Sequence, residues 1–384
     1  MLAFKLAYKN LVGAGLRTWL NVGVLSFAFV IIVLYNGILD GWNQQARTDT
    51  ISWEYGAGQL VHEDYDPYDP FSLQDGYGKL DPSLQKGLTP LLIRQGNIYP
   101  SGRMLPIILK GIDPKQETLE IPTQALLNSD AEIPVIIGER MAEAAKLKKG
   151  DQVLLRWRDK GGTFDAVNIT IADVFETIVP TVDNGQVWIP IEKLWEMTGM
   201  ENEATLFIAN ENFSPSQIDG WEFKDLSMLL ADLDAMIASK KVGSSVMYGL
   251  LLTIALLAIF DTQVLSIFRR QREIGTYISL GMTRQQVVYL FTVEGGFNSI
   301  LATLVGCVWG IPLLIYLAKV GMGMPGNADE MGIAVGERIY PVYGLGLILG
   351  TIALVVISAT IVSFLPSRKI SKMDPVDALK GKIQ

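Results

Sequence analysis

Residues 242–294 read VGSSVMYGLLLTIALLAIFDTQVLSIFRRQREIGTYISLGMTRQQVVYLFTVE, and this stretch decides the fold. Val246 to Ile267 is a run of 22 residues with Asp261 as its one charge. At about 1.5 Å per residue, a helix of that length matches a hydrocarbon core of about 30 Å. The basic, turn-rich segment from Arg269 to Gln286 follows, and a further helix then enters a second apolar run at Phe297. The segment between them is therefore expected as a short loop held against one membrane face. Within it, Ile274, Tyr277 and Ile278 recur at i, i+3 and i+4, which makes one apolar stripe on a short helix whose other face carries Arg272 and Glu273. Gly281 suits the left-handed residue that ends a helix. Thr283 with Gln286 three residues on has the form of a capping box at the start of the next helix. A short helix across the ends of two spans is shaped to be pushed from outside the membrane. A solvated turn between spans is the plainer alternative, and spacing alone does not choose between them.

Working outward, the composition is 49% apolar, yet the 384 residues include 40 acidic side chains. Both facts hold only if apolar and acidic parts are separated along the chain. Four runs are long enough to span a bilayer: about 20–39, 246–267, 297–317 and 342–365. Buried helices of a soluble core rarely reach such length with so few charges. Lys5, Lys9 and Arg17 precede the first run. Arg269, Arg270, Arg272 and Arg284 follow the second, against Glu273 and Glu294. Arg368, Lys369, Lys372, Lys380 and Lys382 follow the fourth, against Asp374 and Asp377. Alternating spans put these three clusters on one side, and the excess of Lys and Arg makes that side cytoplasmic. Residues 40–241 hold 18 basic and 32 acidic side chains and are expected outside the cytoplasm. The first run is longer than a signal-peptide core, and Ile38-Leu39-Asp40-Gly41 is no small-residue cleavage site, so it is expected to remain as a span. Trp19 and Trp42 bracket it at interfacial positions.

The acidic block reads as a folded α/β domain. Tyr65 to Pro82, rich in Pro, Asp, Gly and Tyr, reads as an extended loop. Strands are expected at 91–98, 104–112, 134–137, 152–157, 167–175, 186–189 and 204–210, with a helix over 139–146. Leu226, Leu229, Leu230, Leu233 and Ile237 give Asp225 to Lys241 a helical period that leads directly into the second span. A continuous rod is favoured there over a hinge at Gly243-Ser244-Ser245. About 24 residues with Pro325 and Pro341 join the third and fourth spans, and Pro312 is a possible kink in the third.

Several function classes are excluded. No basic stripe exists to neutralise phosphates, which argues against nucleic acid as a partner. No stretch has the form G-x-x-x-x-G-K-[ST]; Gly78-Lys79 lacks the earlier glycine and the hydroxyl residue. With His62 as the single histidine, no Ser, His and Asp set is credible, and no zinc site of the usual kind is expected. The single Cys307 cannot form an internal disulfide. No catalytic, metal or cofactor residues are expected in this chain. Asp261 lies eight residues before Arg269, about 12 Å from the end of its helix. Asn21 and Asn298 are candidate partners at comparable depth. The carboxyl serves coupling or substrate passage, or a structural hydrogen bond.

Arg272-Glu273-Ile274-Gly275, then Leu280-Gly281-Met282-Thr283-Arg284-Gln285-Gln286 and Glu294-Gly295, resemble the coupling region of FtsX-like ABC transporter permeases, the group that includes the lipoprotein-releasing Lol permeases and the exporter MacB. Asp374-Pro375-Val376-Asp377-Ala378-Leu379 is similar to that family's C-terminal pattern. Pro134-Val135-Ile136-Ile137-Gly138-Glu139, Leu147-Lys148-Lys149-Gly150-Asp151 and Gly111-Ile112-Asp113-Pro114 are similar to its periplasmic domain. The resemblance covers nearly the whole chain, with a layout closest to LolC and LolE. It implies an α-helical membrane protein with four transmembrane helices (1+3) and a large mixed α/β periplasmic domain inserted after the first. The expected division is 1–42 for the N-terminal segment and first span, 43–241 for the periplasmic domain, 242–366 for three spans with a coupling helix at 269–284, and 367–384 for a cytoplasmic tail. The resemblance further implies a bacterial inner-membrane location with cytoplasmic termini, a second identical or paralogous permease, and a separate pair of ATPase subunits of LolD or MacB type that bind the ATP and Mg²⁺. Arg272, Glu273, Ile274, Gly275, Tyr277, Ile278, Leu280, Gly281, Met282, Thr283 and Arg284 would dock on that ATPase, and Asp374 to Leu379 would contact it. Lol-type release of lipoprotein or lipid is the favoured reading. Two alternatives are MacB-like export of peptides, toxins or drugs with an adaptor and outer-membrane channel, and FtsX-like signalling to a periplasmic partner without transport.

Overall fold

The computed structural model describes residues 16–215, 217–323 and 338–372. In chain order its helices longer than one turn are α1 (Leu16–Thr50), α2 (Glu139–Ala145), α3 (Ile191–Thr198), α4 (Ala231–Arg269), α5 (Gln271–Ser279), α6 (Arg284–Val320) and α7 (Leu345–Ser367). The chain divides into two compact units, parted between residues 43 and 44 and again between 235 and 236. Four helical stretches, Trp19–Tyr55, Ala231–Arg269, Arg284–Val320 and Leu345–Ile370, are long and apolar enough to cross a membrane.

The membrane unit packs Val22, Leu25, Phe29 and Val33 of α1 against Leu252, Ala255 and Ile259 of α4, Ala302 and Leu314 of α6, and Val355 and Ala359 of α7. Small residues set how closely these helices approach. A Cβ at Gly310 would lie 2.6 Å from Val30 Cγ2, and one at Gly306 would lie 2.8 Å from Phe29 Cδ1. α6 runs on through Pro312. α4 is unbroken across Gly243-Ser244-Ser245. The two serine hydroxyls there bond back to Lys240 O at 2.8 Å and Val242 O at 2.6 Å, so they are satisfied inside the helix. The helical pattern read from Asp225 begins with a separate turn, Leu226–Leu229, capped by the Asp225 side chain on Met228 N.

The outer unit is built on nine strands: β1 (Gly58–His62), β2 (Leu88–Ile98), β3 (Leu105–Ile112), β4 (Pro134–Gly138), β5 (Gln152–Arg158), β6 (Phe164–Phe175), β7 (Gln186–Pro190), β8 (Leu206–Ala209) and β9 (Trp221–Lys224). Their order is β3-β7-β4-β6-β5-β2-β8-β1-β9, and a further pairing of β3 with β2 closes the first six into a ring. β3 runs parallel to β7 and β4 parallel to β6; the other pairs are antiparallel. Alternation along the strands feeds two cores. Val135, Ile137, Val187 and Ile189 join Leu155 and Ile169 in one, while Ile136 and Trp188 join Leu91, Ile93 and Ile208 in the other.

The motif at 134–139 has a structural cause here. Asp183, with its side chain 1% exposed, ion-pairs with Arg140 at 3.0 Å. It also accepts the backbone N–H of Arg140 and of Met141 at the start of α2. Gly138 leaves the space for that carboxylate. Burial pushes the Asp183 carboxyl upward, and the bonds from Arg140 and Met141 oppose that shift.

Candidate functional site

α4 ends at Arg269, and Arg270 leaves the helical conformation at φ −102°, ψ 19°. This turns the chain so that α5 folds back beside the first turns of α6. Ile274 of α5 is fully buried with Ile267, Val287, Phe291 and Ile370, and Tyr277, Ile278 and Met282 pack at the edge of that cluster. Gly275 and Gln271 are buried on the same side. The stripe expected on the short helix is therefore what fastens it down, although the helix is shorter than 269–284.

A charged clamp fixes the bend. Arg270 Nη1 donates to both carboxylate oxygens of Glu294 at 2.8 and 2.9 Å. Its Nε and Nη2 donate to Glu273 at 2.6 and 3.0 Å. The guanidinium also stands 4.7 Å from the centre of the Phe291 ring, and Tyr277 Oη donates to Glu273 at 2.8 Å. Burial alone would lower the pKa of Arg270, but the hydrogen bonds and charges of Glu273 and Glu294 outweigh it and hold the pKa above its ordinary value. The hydrogen bond from Arg270 leads the causes that hold the Glu273 carboxyl below the usual carboxylate range, with Tyr277 adding to it.

Glu273 is consequently not on the free face with Arg272, as the helical period suggests. It is turned toward Arg270, because a guanidinium three residues away and partly desolvated is a stronger partner than water. The face left open carries Arg272, Thr276, Ser279, Leu280 and, past the turn, Thr283 and Arg284. Leu280 is 79% exposed at its tip. Gly281 adopts φ 99°, the left-handed conformation expected of it. The capping box forms in both directions, with Thr283 N donating to Gln286 Oε1 at 2.9 Å and Gln286 N to Thr283 Oγ1 at 3.3 Å. Arg270 and Glu294 were not singled out as a pair by sequence, since 24 residues part them and only the folded bend joins them.

The polar residues singled out in the spans differ in burial. Asn21 and Asn298 are buried, and Asn298 Oδ1 has no hydrogen-bond partner among the described residues. Asp261 lies on the exposed side of α4, with exposed Leu257 and Leu265 one turn to either side. Asp261→Asn keeps a hydrogen-bonding head of the same size that carries no charge. Membrane insertion and thermal stability are expected to stay within about 0.5 kcal/mol of the parent, as for other exposed substitutions, and a larger loss on thermal unfolding would contradict an unengaged carboxyl. Asp374 to Leu379 lie outside the described residues.

Four helices long and apolar enough to cross a membrane, an α/β domain between the first two and an amphipathic bend between the next two define the architecture of a polytopic membrane protein. Residues 245–375 match the family described as FtsX-like permease C-terminal, so the chain carries an FtsX-like permease domain. It is 24% identical over 200 residues to the uncharacterized ABC transporter permease YknZ of Bacillus subtilis, a match over 52% of this chain and 46% of that one. It is 21% identical over 322 residues to the lipoprotein-releasing system transmembrane protein LolC of Neisseria meningitidis, over 76% and 77% respectively. The chain thus spans less than half the length of the first relative and about three quarters of the second. Among solved structures, the extracellular domain of YknZ from Gram-positive bacteria matches 40% of this chain and 83% of its own length, at 15% identity and a TM-score of 0.23.

Proposed function

We propose that this chain is the membrane-spanning subunit of an ABC transporter, moved by a separate ATPase pair, and that it acts with a second permease on lipoprotein or lipid at the outer leaflet. The single observation that carries the reading is the α5 bend. It is fastened inward through Ile274 and the Arg270 clamp, while Arg272, Leu280, Thr283 and Arg284 are presented outward. A push on that surface reaches α4 and α6 together, since Arg270 follows the last residue of one and bonds Glu294 on the other. The unbroken α4 then carries the motion toward the outer domain. The Lol-type reading is favoured over a fused exporter by the similarity to LolC, which extends through most of the chain rather than the permease domain alone.

With Glu273 held internally, Arg272 is the charge whose reversal tests docking. Arg272→Glu is expected to abolish most co-purification with the ATPase, because a like-charge contact replaces an attractive one at an interface. Membrane insertion and thermal stability should stay within about 0.5 kcal/mol of the parent, as for other exposed substitutions. Full retention of the ATPase and of substrate-stimulated hydrolysis would remove this surface as the docking site. Purification in native lipid, with every bound protein and lipid identified, reads partner and cargo in one experiment.

A further inference from the structure

On the first three turns of α6, Gln285, Val288, Tyr289 and Thr292 recur at i, i+3, i+4 and i+7 and so share one stripe. Together with Phe364 in the last turn of α7 and Arg368, the residue that follows α7, they line an open groove of about 430 Å³. Its walls are apolar at Val288, Phe364 and the methyl group of Thr292, whose hydroxyl is turned back to Val288 O at 2.9 Å. Its polar groups, Gln285 and Arg368, come from the outermost turns of the two helices, and the Arg368 guanidinium stands 5.8 Å from the Phe364 ring centre. Tyr289 and Phe364 are exposed, at 57% and 42%, so this chain leaves much of both rings uncovered. Arg284 and Lys369, adjacent in sequence to the lining residues, are exposed as well and add positive charge at the same end.

We propose that this groove binds an anionic phospholipid, with an acyl chain along Val288, Thr292 and Phe364 and the phosphate against Arg368 and Gln285. The proposal rests on the reading that these ends of α6 and α7 meet the membrane surface, where anionic headgroups attract juxtamembrane cations. The occupant follows from the shape of the chemistry. Thr292 lies eight residues beyond Arg284, about 12 Å along the helix, so the groove runs lengthwise toward the apolar run that begins at Phe297, a shape that suits an acyl chain. A free phosphate would leave the apolar walls uncovered. A lipid with one charge and a long apolar tail matches both the cation and the walls. The bound lipid would touch the stretch of α6 that also packs against α5, so headgroup composition would tune the bend.

The test uses the full-length chain exchanged into nanodiscs of phosphatidylcholine with added phosphatidylglycerol, then released into native mass spectrometry. Phosphatidylglycerol should stay bound in preference to phosphatidylcholine. Arg368→Gln should reduce that preference about fivefold, the effect of one basic residue near an anionic surface. Arg368→Lys should restore most of it, and Thr292→Trp, which fills the groove, should release both lipids while the chain remains folded by circular dichroism. Equal retention by the parent and Thr292→Trp, no headgroup preference in the parent, or displacement of the lipid by inorganic phosphate would overturn the proposal. Orientation is read separately. In a chain carrying Cys307→Ser and Leu280→Cys, labelling by an impermeant maleimide only from the outer side would sink the ATPase-docking reading, and lipid retention would still decide the groove.

Discussion

Glu294→Leu is expected to destabilise the membrane unit by about 3 kcal/mol, the low end for removing one partner of a buried ion pair. Glu294 has its side chain 12% exposed and Arg270 has its side chain 19% exposed, so neither can turn to water for replacement bonds. Loss of the Glu294 carboxylate leaves Nη1 of a charged guanidinium without its two acceptors, and Glu273 already occupies the other edge. The cost is that of an orphaned charge rather than of a lost attraction. The double variant Arg270→Leu, Glu294→Leu removes the charge as well, and is expected to recover at least half of the stability. The two should differ in function too. Under the proposed function, the single variant keeps α5 but lets it swing, so hydrolysis by the proposed ATPase would continue with little substrate stimulation. Thermal unfolding of the purified chain in lipid, with ATPase rates of the reconstituted complex, measures both. If the single and double variants melt together with the parent, Arg270 is not a clamp.

The same geometry gives a pH dependence of defined sign. The Glu273 carboxyl is held below its ordinary range in the folded chain. Its contribution is therefore present above the unfolded carboxylate's pKa, about 4.3, and is lost as pH falls through the lower folded value.

How much of this was legible depended on distance along the chain. The cap at Thr283 and Gln286, the left-handed Gly281 and the stripe of Ile274, Tyr277 and Ile278 are local patterns, and each is where the sequence puts it. The spans were legible for the same reason, since a run of apolar residues needs no partner to be recognised. Glu273 was misplaced because a helical wheel knows nothing of Glu294, and the wheel's preference yielded to a guanidinium held by both carboxylates. β1 and β9 were missed because neither GQLVH nor WEFK alternates apolar and polar residues cleanly between two faces. They exist as strands through pairing Gln59 with Lys224 and Val61 with Glu222, across more than 150 residues of chain. α3 escaped notice too, although its apolar face is buried on Ile191 and Leu194. The partner of Asp261 was not legible, and the fold leaves that residue exposed while both asparagines are buried.

The second large effect concerns the outer unit, where Gly138→Ala is expected to cost about 3 kcal/mol, the upper part of the range for overpacking a tight site. The backbone at Gly138 is ordinary, φ −78° and ψ 165°, so alanine meets no conformational penalty there. Space is what it lacks. A Cβ would fall 1.8 Å from Asp183 Oδ1 and 2.7 Å from Asp183 Cβ. Asp183 cannot retreat freely, because it is held by Arg140 and by two backbone N–H groups of α2, and Arg140 is held in turn by Thr177 O at 2.8 Å. To admit the methyl group, either the buried ion pair opens or α2 shifts off the sheet. Gly150→Ala is the control with the opposite cause. Nothing lies within 4 Å of its Cβ position, but its φ is +90°, so the cost is backbone strain of about 1 kcal/mol. Hydrogen exchange on the intact chain separates the two. Gly138→Ala should lose protection along β4 and β7 while the spans keep theirs, and Gly150→Ala should lose little beyond its own turn. Unchanged protection in β4, or the larger loss in Gly150→Ala, would mean that the carboxylate is not what the missing side chain makes room for.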